Sequence, residues 1–199
     1  MSVVVAIKEN GKVVIGADSQ STRGGSRRTL SNSNNYKIWK VLDCENCLMG
    51  HVGLAREANI IRVTSGLIPE IVQLKDKVDF AFVVKRLVLA LFEVLVDCRA
   101  IQKCDEPLHF ESSFLFAYKN RLFYISGNGT VIEVDDYCAI GSGECEAIGS
   151  LISTEGEPCE QRIKKAIKAS AANDIYVDYP IVISDTESTE FKVYYEKDL

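Results

Sequence analysis

The chain has no excess of positive charge, no apolar run long enough to cross a bilayer and no cluster of metal-ligating side chains. Lys and Arg number 23 against 28 Asp and Glu, a formal net charge of −5. A protein that neutralises nucleic-acid phosphates needs the opposite balance, so no nucleic-acid partner is expected. The most apolar stretch, Phe80 to Val96, is broken by Lys85, Arg86 and Glu93. It also falls short of the ~20 residues that a span needs, so no membrane partner is expected. There are only two His, His51 and His109, far apart in the chain. Cys44-Glu-Asn-Cys47 is the one C-x-x-C, with no second pair at zinc spacing; it reads as a hairpin turn with incidental thiols, and no metal or cofactor is expected. Seven Cys, an odd number, without a secretory signal point to free thiols in a reducing cytoplasm. There is no internal repeat and no low-complexity tract. What is present is globular: 199 residues, 47% hydrophobic and 26% charged, enough for a single domain over residues 1–199 with a real core.

The organising stretch is Ser2 to Thr22, SVVVAIKENGKVVIGADSQST. Val3 to Ile7 and Val13 to Ile15 are apolar and mostly β-branched, and Asn10-Gly11 between them is a strong hairpin signal. A two-residue loop would place Val3 opposite Asp18, with Ser2 on the other side of the sheet. A three-residue loop, Glu9-Asn10-Gly11, would instead place Ser2 directly opposite Asp18. Met aminopeptidases generally remove Met before a small residue such as Ser. Ser2 would then carry a hydroxyl and a free α-amine that titrates near ~7.7–8, a nucleophile and a base on one residue. An ordinary edge hairpin with a serine near its start is the alternative for this stretch alone.

Further along, Arg23 to Asn35 has the composition of a loop, with three Arg; it is either a solvated surface or the rim of a cleft. Tyr36 to Leu42 reads as a strand with Lys37, Trp39 and Val41 on one face, and Leu48 to Gly53 as another. Helical spacing then takes over, with Leu54, Ala58, Ile61, Ile68 and Ile71 on one face. Gly53 at this junction can present an unshielded backbone N–H. A helix from about Phe80 to Ala100 is apolar almost all round and is expected in the core or a subunit contact. Strands follow at Ser113–Tyr118, Leu122–Ser126, Thr130–Val134 and from Tyr137. Helices follow from Glu144 and Glu160, and strands at Pro180–Ser184 and Phe191–Tyr195 close the chain. The predicted fold class is α+β: a four-layer α/β/β/α sandwich of two mainly antiparallel sheets.

Five pieces in this order resemble the proteasome β-type subunits, and especially the bacterial HslV-type peptidases, which are N-terminal nucleophile hydrolases. They are the opening hairpin, Tyr36-Lys37-Ile38, Gly50-His51-Val52-Gly53-Leu54-Ala55, Asn128-Gly129-Thr130-Val131-Ile132-Glu133 with Ala139-Ile140-Gly141-Ser142-Gly143, and Ala171-Ala172-Asn173-Asp174. The resemblance implies Ser2 as nucleophile after loss of Met1, its α-amine as general base, and Asp18 with Lys37 as a charged pair. It implies Gly53 as oxyanion donor, Ser142 as a hydrogen-bond partner of the α-amine and Asp174 as its support. Thr22, Gly53 and Ala55 would lie along the substrate cleft, and His51 would shape the primary specificity pocket.

Three departures stand out. The nucleophile is Ser where the family usually has Thr, the segment from Thr22 to Lys37 is longer, and Val177 occupies the place of a second Ser in proteasome subunits. The implied activity is peptide-bond hydrolysis on peptides or unfolded protein, in a homo-oligomeric ring. An unfoldase ATPase partner follows by analogy, since the chain has no ATP-binding loop of its own. Small-molecule amide hydrolysis, acyl transfer, or an inactive ring protein are the alternatives on the same fold.

Overall fold

The computed structural model describes residues 2–101, 109–188 and 190–198. The first sheet contains β1 (Val3–Glu9), β2 (Lys12–Ala17), β10 (Tyr137–Gly141), β11 (Ile181–Asp185) and β12 (Lys192–Tyr194), in the order β10-β1-β2-β11-β12. The second contains β5 (Ile38–Lys40), β6 (Cys47–Val52), β7 (Ser113–Tyr118), β8 (Arg121–Ile125) and β9 (Val131–Val134), in sequence order. Neighbouring strands in both sheets are antiparallel.

Three apolar clusters hold the elements together. Val4, Ala6 and Ile15 pack with Ile38, Leu48, Leu115 and Leu122, residues of both sheets. Val3, Val5 and Ile7 pack instead with Ala147 and Leu151 of α5 (Glu144–Ser153) and Ile163 and Ile167 of α6 (Cys159–Asn173). On the second sheet, Trp39, Met49, Phe114 and Phe116 pack with residues of α1 (Ala55–Arg62) and α4 (Val88–Asp97). β1 is therefore covered on both faces, which is why its sequence is a continuous apolar run rather than an alternating one. Each such side chain withdrawn from water contributes ~1.5–3 kcal/mol.

The opening hairpin takes the two-residue loop. Glu9 pairs with Lys12 and Val4 with Ala17, and Asn10 and Gly11 have φ of 52° and 80°, the signature of a type I′ turn. The three-residue loop and the direct Ser2–Asp18 pairing are not adopted; Val3 stands opposite Asp18, whose N–H donates to the Val3 carbonyl at 3.3 Å. The strong right-handed twist that a type I′ turn matches favours this shorter connection.

Other expectations need revision. Residues 23–35 are not all loop: β3 (Gln20–Arg23) and β4 (Ser26–Thr29) form their own hairpin. The strand expected over 36–42 is confined to β5. Trp39 and Val41 pack on the helical side, whereas Lys37 precedes the strand and turns to Asp18. The helical face expected to run to Ile71 stops with α1 at Arg62. Gly66 and Pro69 interrupt it before α2 (Glu70–Leu74), leaving Leu54 49% and Ile71 56% exposed. The helix from Phe80 is composite. α3 (Phe80–Phe82), whose Phe82 N–H donates to Asp79 at 2.8 Å, continues through a π-helical stretch, Val83–Leu87, into α4. Cys44 and Cys47 lie at the β5–β6 turn, with Asp43 and Asn46 at positive φ, and both thiols are free.

Candidate active site

The end of β2 delivers Asp18 to a position where its carboxylate collects four donors. Oδ1 accepts from Lys37 Nζ at 2.7 Å and from the Val3 N–H at 3.0 Å. Oδ2 accepts from the N–H groups of Gln20 at 3.0 Å and Asp178 at 3.4 Å. Both partners of the ion pair are buried. A buried carboxylate is tolerable only when its lone pairs are met in this way. Burial pushes the Lys37 pKa below its ordinary value, and the negative charges of Asp18 and Asp174 oppose that shift.

Ser2, one residue before β1, is buried beside this pair. Its N–H donates to Ser142 Oγ at 3.1 Å, and Ser142 Oγ donates back to the Ser2 carbonyl at 3.4 Å. The Gly143 N–H reaches the same carbonyl at 3.4 Å. Gly141, at φ 109°, passes so close to the Ser2 carbonyl oxygen that no side chain fits there. The strand end β10 thus grips the residue that opens β1, and Ser170 Oγ on α6 fixes the grip by donating to the Gly143 carbonyl at 2.7 Å.

Gly53 closes β6 at φ 126°, and a Cβ there would lie 2.5 Å from the Glu111 carbonyl and 2.6 Å from Ser112 Oγ. The neighbouring Leu54 N–H donates to Ser112 Oγ at 3.1 Å, and Glu57 Oε1 accepts the Glu111 N–H at 3.0 Å. Residues 111–112 therefore clamp the strand-to-helix turn. His51 is buried, with its Nε2 3.1 Å from the Leu54 carbonyl. A carbonyl can only accept, so Nε2 carries the proton. Burial, against the raising effect of that hydrogen bond, lowers the His51 pKa to about 3, and the ring is neutral. It packs between Trp39 and Phe114, at centroid distances of 6.3 and 5.7 Å.

A cleft of about 350 Å³ opens over these residues, lined by Ser2, Thr22, Lys37, His51, Gly53 and Ala55 among others. Arg23, Leu30 and Asn35 also line it, so the segment after β2 forms part of its rim. The structure thus gathers Ser2, Asp18, Lys37 and Ser142 through hydrogen bonds, and Thr22, His51, Gly53 and Ala55 through the cleft. Asp174 stands apart. Its Oδ1 accepts the Tyr176 N–H at 2.9 Å, its Oδ2 is buried without a hydrogen-bond partner among the described residues, and no hydrogen bond joins it to Ser142. Its negative charge acts on Lys37, raising the lysine pKa against burial. Ser112, Glu57 and Ser170 were missed by sequence reasoning, because each acts on a backbone group distant in the chain and no local pattern marks it.

No family model matches the chain. It is 31% identical over 192 residues to the ATP-dependent protease subunit HslV of Borreliella burgdorferi (strain ZS7), covering 94% of this chain and 97% of that protein. Among solved structures, Thiobacillus denitrificans BPH superposes with a TM-score of 0.71 at 20% identity, covering 94% of this chain and all of that one, 100%. The HslV of Trypanosoma brucei gives a TM-score of 0.66 at 20% identity, covering 92% and 98%.

Proposed function

Because this chain belongs to the HslV family of proteasome-like protease subunits, we propose that it hydrolyses peptide bonds with Ser2 as an N-terminal nucleophile, after removal of Met1. The three apolar clusters support reading residues 1–199 as one peptidase domain, a four-layer α/β/β/α sandwich of the N-terminal nucleophile type. The single observation that carries the proposal is the convergence on Ser2: Ser142 at its nitrogen, and the Asp18–Lys37 pair at the residue that follows it.

In this reading the Ser2 hydroxyl attacks the carbonyl carbon of an amide, and its proton passes to the α-amine, directly or through a water. Lys37 contributes positive charge that favours the developing alkoxide, and Asp18 holds the ammonium in place. The N–H of Gly53 faces no acceptor among the described residues and donates to the oxyanion, a contact worth ~3–4 kcal/mol in acyl-transfer sites. Collapse of the tetrahedral intermediate expels the amine, which takes the proton from the α-ammonium. An ester on Ser2 remains, and water hydrolyses it by the same route. Ser142 orients the α-amine, and Asp174 adds charge behind Lys37. An extended peptide lies along Thr22, Gly53 and Ala55, pairing as an added strand. By analogy with its relatives the chain forms a homo-oligomeric ring in the cytoplasm, working with an unfoldase ATPase on unfolded protein.

Ser has the hydroxyl and amine that this chemistry requires; it lacks only the methyl of Thr, which restricts the χ1 rotamer. The test is turnover of a peptide library by the wild type and by Ser2→Ala. The reading expects peptide cleavage that disappears in the folded variant. Equal activity in Ser2→Ala contradicts it, and cleavage of small amides without any of peptides would move the assignment to a small-amide hydrolase.

A further inference from the structure

Among the described residues the cleft is lined by three cations, Arg23, Lys37 and Arg62, and by no carboxylate. Lys37 is neutralised by Asp18. Arg23 is exposed at the end of the β3–β4 hairpin. Arg62 has no ion-pair partner among the described residues and is only partly exposed. It occupies the last turn of α1, one Nη atom donates to the Tyr36 carbonyl, and the guanidinium carbon stands 4.8 Å from the centroid of the Trp39 ring. Its Nε and other Nη are buried and have no hydrogen-bond partner among the described residues. A guanidinium keeps its charge and offers five donors in a rigid fork suited to a carboxylate. Two buried donors left unmet are costly, so the site gains by admitting an acceptor.

The surroundings favour an anionic one. Ala55, Ala58 and Asn59 lie on the same face of α1 as Arg62 and line the cleft with it, and the two alanines leave a groove along the helix. His51, across from them, is neutral and commits its N–H to Leu54, so it neither competes as a cation nor supplies a negative charge. Tyr36, whose carbonyl anchors Arg62, directly precedes Lys37, which places the guanidinium next to the reacting group rather than at the far rim.

We propose that Arg62 selects substrates with a carboxylate side chain, Glu or Asp, on the residue whose carbonyl Ser2 attacks. The fork pivots from Trp39 towards the cleft, and its unmet Nη donates to that carboxylate together with the second N–H of the Nη that holds the Tyr36 carbonyl. The inference rests on the peptidase reading above, and its test separates the two.

The probes are acyl-tripeptide coumarin amides that differ only in Glu or Gln before the scissile bond; with the coumarin as leaving group, no C-terminal carboxylate is present. For the wild type, kcat/KM for Glu should exceed that for the isosteric Gln by at least about tenfold, equivalent to about 1.4 kcal/mol. The ratio should fall to near one in Arg62→Met and to an intermediate value in Arg62→Lys, which keeps charge but not the fork. A wild-type ratio near one, or a ratio unchanged in the variants, overturns the proposal. If neither probe is cleaved, the peptidase reading fails, and binding decides the selectivity separately. A fluorescein-labelled peptide amide ending in Glu should bind Ser2→Ala at least about tenfold more tightly than its Gln counterpart, and the preference should vanish in Ser2→Ala/Arg62→Met. Equal binding of the two peptides overturns the proposal. Arg62→Lys serves in every arm should Arg62→Met not fold.

Discussion

At the scale of single residues, the site depends on charges kept out of water. Asp18 and Lys37 share one short contact, and Asp18 has three backbone donors besides. Removing one partner of such a pair strands the other, at a typical cost of 3–5 kcal/mol. Lys37→Met should therefore lower stability by about that amount as well as abolish turnover, measured by urea denaturation and peptide hydrolysis. Asp18→Asn should cut turnover heavily, because the Lys37 ammonium loses its counter-charge.

His51 makes a second, separable prediction. Its ordinary pKa is 6.5 and its folded value about 3, so between these pH values the unfolded chain binds a proton that the folded chain refuses. Its stabilising effect is intact above pH 6.5 and is lost as pH falls towards 3, at about 1.4 kcal/mol per unit. Urea denaturation at several pH values should show a shallower acid loss in His51→Gln than in the wild type. Identical slopes would refute the assignment. The nearness of Ser2 and Asp18 was legible in the opening hairpin, whereas Lys37 was placed beside them only by the resemblance of Tyr36-Lys37-Ile38 to the family's strand. Which of the two hairpin registers the chain adopts, and so that Val3 rather than Ser2 stands opposite Asp18, could not be decided there. The chain leaves the ladder at Asp18, and its side chain no longer follows the alternation.

At the scale of elements, the turn from β6 into α1 is clamped by the residues just before β7, the strand paired with β6. Ser112 receives the Leu54 N–H although the two are 58 positions apart in the chain. Ser112→Ala should free that turn and misplace the Gly53 N–H. Oxyanion contacts of this kind are worth ~3–4 kcal/mol when fully lost, so a partial loss predicts a fall in kcat of about tenfold or more with KM little changed. Steady-state kinetics on the folded variant checks this. The strands of the two sheets were legible because apolar runs and turn residues alternate along the chain. The helical face from Leu54 was over-extended because the apolar spacing at Ile68 and Ile71 persists beyond a break at Gly66 and Pro69. Spacing registers periodicity but not the loss of hydrogen bonding at a proline. The π-helical stretch within the long apolar helix had no signal at all: Val83–Leu87 reads as ordinary helix.

At the scale of the whole molecule, the outer face near α2 and α4 carries more exposed apolar surface than an isolated domain needs. Ile71 and Leu89 are 56% and 55% exposed, and both line a groove with Val72, Phe82 and Ala90. Apolar surface of this kind is characteristic of a subunit contact, consistent with the proposed ring and a second copy as occupant. Native mass spectrometry should show a homo-oligomer that dissociates in Leu89→Asp; a monomeric wild type would contradict the ring. The sequence exposed the apolar character of this helix but not which side remains uncovered, since its apolar residues run almost all round.

The central claim is that Ser2, freed of Met1, forms the ester intermediate. Intact-mass spectrometry of the purified chain, before and after exposure to an activated peptide ester and followed by peptide mapping, tests it most directly. The account predicts a chain that begins at Ser2 and gains a single acyl group there. A chain that turns over substrate with Met1 still attached, or that carries the acyl group on any other residue, would contradict it.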